Sequence, residues 1–169
     1  FDVAVGIKNP MNGSFSVLLN SIYAAQISNE FKYGEYQVRT SGNPFAHAIL
    51  RGSVDIYGNN LPNYHYEDVM RFDEMYRKQG LKFPAVIIDT NHSNSNKNAF
   101  EQIRIVKEVV GNRRHCDRFK SLVKGFLIES YIEDGNQSPD GNVYGKSITD
   151  ACLGWDNTRS LILSVAERL

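Results

Sequence analysis

The sequence predicts an α/β fold, and within that class half of a (β/α)8 TIM barrel organised on a parallel sheet. Three observations lead there. Short runs that are apolar throughout alternate with segments of helical periodicity, four times over. Such runs fit parallel strands with both faces covered, since half-solvated strands alternate in polarity. The chain has 169 residues, against roughly 250 for a closed eight-unit barrel, so residues 1–169 read as a single partial domain. Finally, each apolar run leads into a charged or metal-competent side chain, and a βα barrel gathers the carboxyl ends of its strands at one mouth. A four-stranded flavodoxin-like open sheet is the structural alternative.

Val3-Ala4-Val5-Gly6-Ile7 is the first buried run, stopped by Lys8-Asn9-Pro10. Phe15, Leu18, Leu19 and Ile22 then repeat at helical spacing, with Asn12 or Ser14 as N-cap. Residues 29–40 hold aromatics around Gly34 and suggest a small inserted hairpin. Ala46-His47-Ala48-Ile49-Leu50 is the second strand, ended by Arg51-Gly52, and residues 53–64 form a Gly/Asn/Pro-rich loop. Val69, Phe72 and Tyr76 mark a helix that Gly80 closes. Ala85-Val86-Ile87-Ile88 is the third strand and runs into Asp89-Thr90-Asn91-His92. Phe100, Ile103, Val106 and Val110 give the next helix, closed by Gly111. Gly125-Phe126-Leu127-Ile128 is the fourth strand, ended by Glu129, and residues 133–143 are again loop. Leu161, Ile162, Val165 and Leu169 form the last helix, capped by Asp156 or Thr158. A half barrel leaves its first and fourth strands as open edges, which recruit partners, so a homo-oligomer is expected.

Composition narrows the function. Nineteen basic and nineteen acidic side chains cancel, which leaves no footprint for nucleic acid and no polybasic membrane anchor. No apolar run is long enough for a spanning helix. Two cysteines, Cys116 and Cys152, make no disulfide framework and no CxxC zinc pair. The reducing cytoplasm is the expected compartment.

The candidate site residues are those at the strand ends: Lys8, Arg51, His92 and Glu129, with Asp150 in the loop before the last helix. Singly, each has a plain structural reading as a rim charge, a surface histidine or a turn cap. Together they place two cations suited to phosphate or carboxylate beside one nitrogen and two oxygen donors. That donor set suits a divalent Mn, Fe, Co or Zn ion. An anion cradle beside a metal site points to chemistry on a phosphorylated substrate.

At these residues the sequence resembles the C-terminal half of class I 3-deoxy-D-arabino-heptulosonate 7-phosphate (DAHP) synthases. The matching stretches are Val5-Gly6-Ile7-Lys8-Asn9, Thr40-Ser41-Gly42-Asn43, Ile49-Leu50-Arg51-Gly52, Ile88-Asp89 through His92 to Lys97, Ile128-Glu129-Ser130, Gly135-Asn136-Gln137, and the run from Tyr144 to Cys152 containing Lys146-Ser147-Ile148-Thr149-Asp150. They follow family order over nearly the whole chain.

The resemblance implies the last four strands of a (β/α)8 barrel. It implies condensation of phosphoenolpyruvate with erythrose 4-phosphate, the first step of the shikimate pathway to the aromatic amino acids. Lys8 and Arg51 would hold phosphoenolpyruvate. His92, Glu129 and Asp150 would be three of four metal ligands, with Lys8 and His92 as catalytic residues. The family's fourth ligand is a cysteine near the first barrel strand. Cys152 is a family-like residue, placed here on the last helix, and not that ligand; Cys116 matches no ligand position. With one ligand and the remaining phosphate-binding groups in the other half, this chain alone is expected to be a poor or inactive enzyme. Two other readings stay open: a related synthase acting on a different aldose phosphate, as in 3-deoxy-octulosonate 8-phosphate synthesis, and a non-catalytic, self-associating half barrel that binds metal or phosphate.

Overall fold

The structure, a computed structural model, describes residues 3–168; Leu169, assigned above to the last helix, lies outside them. In chain order the elements are β1 (Val5–Lys8), α1 (Phe15–Gln26), β2 (Glu30–Tyr33), β3 (Tyr36–Arg39), β4 (Ala46–Leu50), β5 (Ser53–Val54), β6 (Asn60–Leu61), α2 (Tyr66–Lys78), β7 (Val86–Asp89), a 3-10 turn (His92–Asn94), α3 (Glu101–His115), α4 (Asp117–Leu122), β8 (Val123–Leu127) and α5 (Trp155–Ala166). Among the described residues no helix is long and apolar enough to cross a membrane.

The main sheet has four parallel strands in the order β1-β4-β7-β8. Strand order follows chain order, so the sheet winds one way only. That excludes the flavodoxin-like alternative, whose strand order reverses at a switch point. Right-handed crossovers wound one way put every helix on the same face. Leu18, Leu19 and Ile22 of α1, Val69, Phe72 and Tyr76 of α2, and Ile105 and Val109 of α3 pack there against Ala46, Ala48, Leu50, Val86 and Ile88. Phe15 and Tyr76 meet the Phe72 ring edge-on, at 5.1 and 5.8 Å between centroids. A smaller cluster of Val106, Val110, Leu153 and Leu161 attaches α5 to α3, and Phe126 touches both clusters.

The expectation that both sheet faces are covered is therefore corrected. Gly6, His47, Ile49 and Ile87 point to the second face, in register across β1, β4 and β7, and none of them is buried. Apolar residues at those positions are what a barrel interior requires. β1, read as a buried strand, is mostly exposed, with Val5 44% accessible, because it is an edge with no neighbour beyond it among the described residues.

Local chemistry explains the remaining boundaries. Ser14 caps α1 by accepting the Val17 N–H at 3.3 Å. The β2–β3 hairpin turns on Gly34 at φ +60, where the aromatics around that glycine suggested it. Gly80, at φ +69, follows the end of α2 as expected. Gly111 does not close α3, which continues to His115 until extended Cys116 breaks it. A single glycine weakens a helix by only about 1 kcal/mol, and Val109 and Val110 anchor the turn just before it. The cap of α5 is Gly154, not Asp156 or Thr158. Thr158 is buried inside the helix, its hydroxyl 2.6 Å from Ser130 Oγ. Cys152 lies ahead of α5, not on it, and pairs with Gly135 in an isolated bridge.

Candidate metal and anion site

Three buried asparagines tie the strand ends together. Asn9 Nδ2 donates to the Gly52 carbonyl at 2.8 Å, and its Oδ1 accepts the Arg51 N–H at 2.9 Å. Asn63 Oδ1 accepts the Gly52 N–H at 2.8 Å, while the Asn63 N–H donates to Asn94 Oδ1 at 2.9 Å. Asn94 Nδ2 donates to the carbonyls of Leu50 and Asp89 at 3.0 and 2.7 Å. Backbone groups where a strand leaves the sheet lose their ladder partners and must find others. Asparagine offers a donor and an acceptor on one short side chain. The ends of β1, β4 and β7 are thereby held in one frame.

On this frame sits a tight loop. His92, Asn96 and Lys97 all have left-handed backbones, at φ 53, 53 and 58. Three such non-glycine residues within six positions store conformational energy, a feature of functional sites. Gly52, at φ +75, lies directly against the loop backbone.

The structure places the predicted residues as follows. His92, Glu129 and Asp150 each offer a ligand atom, and the three atoms lie within 4.8 Å of one another. His92 is 16% accessible, Glu129 24% and Asp150 34%. Lys8 Nζ reaches the fully buried Asp89 carboxylate at 3.1 Å, and the same carboxylate meets His92 Nδ1 at 2.9 Å. Arg51 follows β4 directly and is half-buried. Among the described residues no carboxylate lies at ion-pair distance from it, and Asn9 joins its backbone to the strand that carries Lys8.

Residues that the sequence reading did not single out orient the donors. Asn91 Nδ2 donates to Glu129 Oε2 at 2.6 Å, which leaves Oε1 free, and Asn91 Oδ1 accepts the Ser95 hydroxyl at 2.8 Å. Gln102, fully buried on α3, accepts the Glu129 N–H at 2.9 Å and donates to its carbonyl at 3.1 Å. Thr90 Oγ1 donates to Gln102 Oε1 at 2.9 Å, so the ends of β7 and β8 share one amide. Lys97 Nζ pairs with Asp150 Oδ1 at 3.3 Å.

A divalent cation fits this set. His92 Nε2 faces Glu129 Oε1 at 3.4 Å. With Nδ1–H donating to Asp89, both facing atoms carry lone pairs, and a cation between them turns a repulsive contact into two bonds. One imidazole nitrogen and two carboxylate oxygens suit Mn, Fe, Co or Zn, and three protein donors leave positions open. Cys152 is not part of the trio. Burial pushes its thiol up, and the nearby Glu129 and Asp150 charges add to that.

Comparison with known proteins extends the picture beyond the site. The sequence model described as the DAHP synthetase I family matches residues 1–162. A Tyr-sensitive phospho-2-dehydro-3-deoxyheptonate aldolase of Enterobacter agglomerans is 35% identical over 98% of this chain and 77% of its own length. A phospho-2-dehydro-3-deoxyheptonate aldolase of Haemophilus influenzae is 35% identical over 97% of this chain and 45% of its own. The structure of the Francisella tularensis phospho-2-dehydro-3-deoxyheptonate aldolase superposes with a TM-score of 0.85 at 27% identity, covering 98% of this chain and 48% of that one. Beyond the Enterobacter protein cited first, the chain spans about half the length of the curated relatives it matches. The four βα units are thus half of the barrel that such enzymes form. Because the match runs from the first strand into the last helix, and not over one short motif, the chain belongs to the DAHP synthetase I family.

Proposed function

We propose that this chain supplies the phosphoenolpyruvate-binding and metal-binding half of a DAHP synthase, which condenses phosphoenolpyruvate with erythrose 4-phosphate to give DAHP and phosphate. The observation that carries the proposal is the meeting of Lys8, Asp89, His92 and Glu129 in one chain of contacts at the carboxyl ends of the strands. The family and the names of the relatives supply the reaction.

His92, Glu129 and Asp150 would hold a Mn, Fe, Co or Zn ion, which when bound supplies Lewis-acid polarisation of the aldehyde carbonyl. Lys8 and Arg51 bind the phosphoenolpyruvate anion and fix its enol carbon against that carbonyl. As the new carbon–carbon bond closes, negative charge grows on the aldehyde oxygen, and the Lys8 ammonium, tied to His92 through Asp89, is positioned to supply its proton. Positive charge develops at the neighbouring enol-ether carbon, where water adds before phosphate leaves with its C–O bond broken. The fixed cations also screen the repulsion between the two phosphorylated substrates. Among the described residues β1 and β8 each keep an unpaired edge, which favours closure by a further four-strand half or by a second copy.

The direct test is phosphoenolpyruvate consumption by this chain with Mn²⁺, alone and with the other four-strand half supplied in trans. Consumption that needs both erythrose 4-phosphate and the second half is expected; none with everything present overturns the proposal. In the assembled protein, Arg51→Ala is expected to weaken phosphoenolpyruvate binding by about 10- to 100-fold, the worth of about 1.5–3 kcal/mol in hydrogen bonds to a charged group. Isothermal calorimetry reads that change, and unchanged binding removes Arg51 from the cradle.

A further inference from the structure

We propose that Asp89 is the positioning residue of this site. It fixes His92 as the Nδ1–H tautomer, with Nε2 turned to the metal, and it holds Lys8 against the same histidine. The inference rests on the metal-site reading above and adds a residue to it.

Asp89 ends β7 and is fully buried. A buried carboxylate is costly unless its oxygens are met. Its Oδ1 accepts the Asn91 N–H at 3.2 Å and lies 3.0 Å from His92 Nδ1. Its Oδ2 has no regular hydrogen bond, yet it lies 2.9 Å from His92 Nδ1 and 3.1 Å from Lys8 Nζ. Beside the Lys8 ammonium the carboxylate offers only lone pairs, so the proton of the neutral imidazole belongs on Nδ1. The lone pair then sits on Nε2, the atom that faces Glu129 Oε1. A carboxylate behind a ligating histidine sets both ring orientation and ligand basicity.

The contact with Lys8 gives Asp89 a second task. β1 and β7 are not neighbours in the sheet; β4 lies between them. Lys8 and His92 therefore meet only through a side chain that crosses the face of β4. Ile49, on the intervening strand, offers nothing polar; the long Lys8 side chain reaches over it, and the Asp89 carboxylate receives its ammonium. Anion-binding and metal-binding groups are thereby set at a fixed separation by one carboxylate. That separation matters when two substrates must approach each other.

The test uses this chain and cobalt(II) as the metal probe. In the metal-free wild type, long-range nitrogen–proton NMR of the imidazole side chains is expected to show His92 with its proton on Nδ1; a proton on Nε2 overturns the inference without any mutation. Asp89→Asn keeps the shape and removes the charge. It is expected to lower cobalt(II) affinity by about 10- to 100-fold, the usual cost of losing an outer-shell partner, and to perturb the visible absorption of the bound ion. Asp89→Glu, which restores the charge, is expected to recover part of the affinity. Unchanged affinity and spectrum in a folded Asp89→Asn chain overturn the inference. His92→Gly keeps the two readings apart. If that variant still binds cobalt(II) like the wild type, the metal-site reading fails; if it loses the metal while Asp89→Asn does not, only the role of Asp89 fails.

Discussion

His92→Ala is expected to abolish stoichiometric Mn²⁺ binding. Losing an outer-shell partner of a metal ligand already costs about 10- to 100-fold in affinity, and losing the ligand itself costs more. The loss also leaves Glu129 and Asp150 as an acidic pair without the imidazole nitrogen that completes the trio. His92 sits at φ 53, where alanine gains nothing over histidine and glycine is at ease. His92→Gly therefore removes the ligand while relaxing the backbone, which offsets part of the cost of leaving buried Asp89 without its imidazole partner. Equilibrium dialysis against Mn²⁺ with circular dichroism as the fold check reads both variants. A glycine variant that stays folded and still holds one ion per chain removes His92 from the ligand set.

Gly52→Ala is expected to damage the same site from outside it. An alanine at φ +75 costs about 1–2 kcal/mol on backbone grounds alone. Its Cβ would lie 2.7 Å from Asn94 N and 2.8 Å from the Ser93 carbonyl carbon, both backbone atoms of the turn that begins with His92. That turn must shift, and the buried hydrogen bonds from Asn63 and Asn94 shift with it. Gly58→Ala is the control: it has φ +86 with nothing within 4 Å, so it bears the backbone cost without the collision. Urea unfolding and cobalt(II) titration together are expected to show a small stability loss and normal affinity for Gly58→Ala. For Gly52→Ala they are expected to show a larger stability loss and at least about tenfold weaker binding. Equal behaviour of the two variants rejects the view that the turn above Gly52 carries the site.

Much of the fold was legible because it is written in periodicity. The four apolar runs and the helical spacings of Leu18, Phe72 and Val106 are local patterns, and crossover handedness does the rest. What was not legible is where the chain stops doing something. Gly111 stays helical because Val109 and Val110, just before it, are buried, a tertiary fact. β1 is exposed because of what lies beside it, which no residue within it encodes. The candidate site divides along the same line. Lys8, Arg51, His92, Glu129 and Asp150 stood out as polar residues at the ends of apolar runs or in a recognisable stretch. Asp89 follows the third run directly, in the position that Glu129 holds after the fourth, and was passed over in favour of His92 three residues on. Gln102 looked like an ordinary polar residue among the apolar positions of α3, and Asn9, Asn63 and Asn94 like common turn chemistry. Their importance comes from contacts across up to 54 positions, and spacing does not reveal these.

The two packing clusters carry a consequence for how the site persists. His92 and Glu129 stand at the ends of strands seated on the larger cluster or on Phe126, while Asp150 lies just ahead of Leu153, which belongs to the smaller cluster with α5. Small clusters open at lower free energy than the body of a domain. Detachment of α5 would thus scatter the donors while the sheet stayed intact, and an ion gripping all three would act as a clip that stops the C-terminal helix from peeling away.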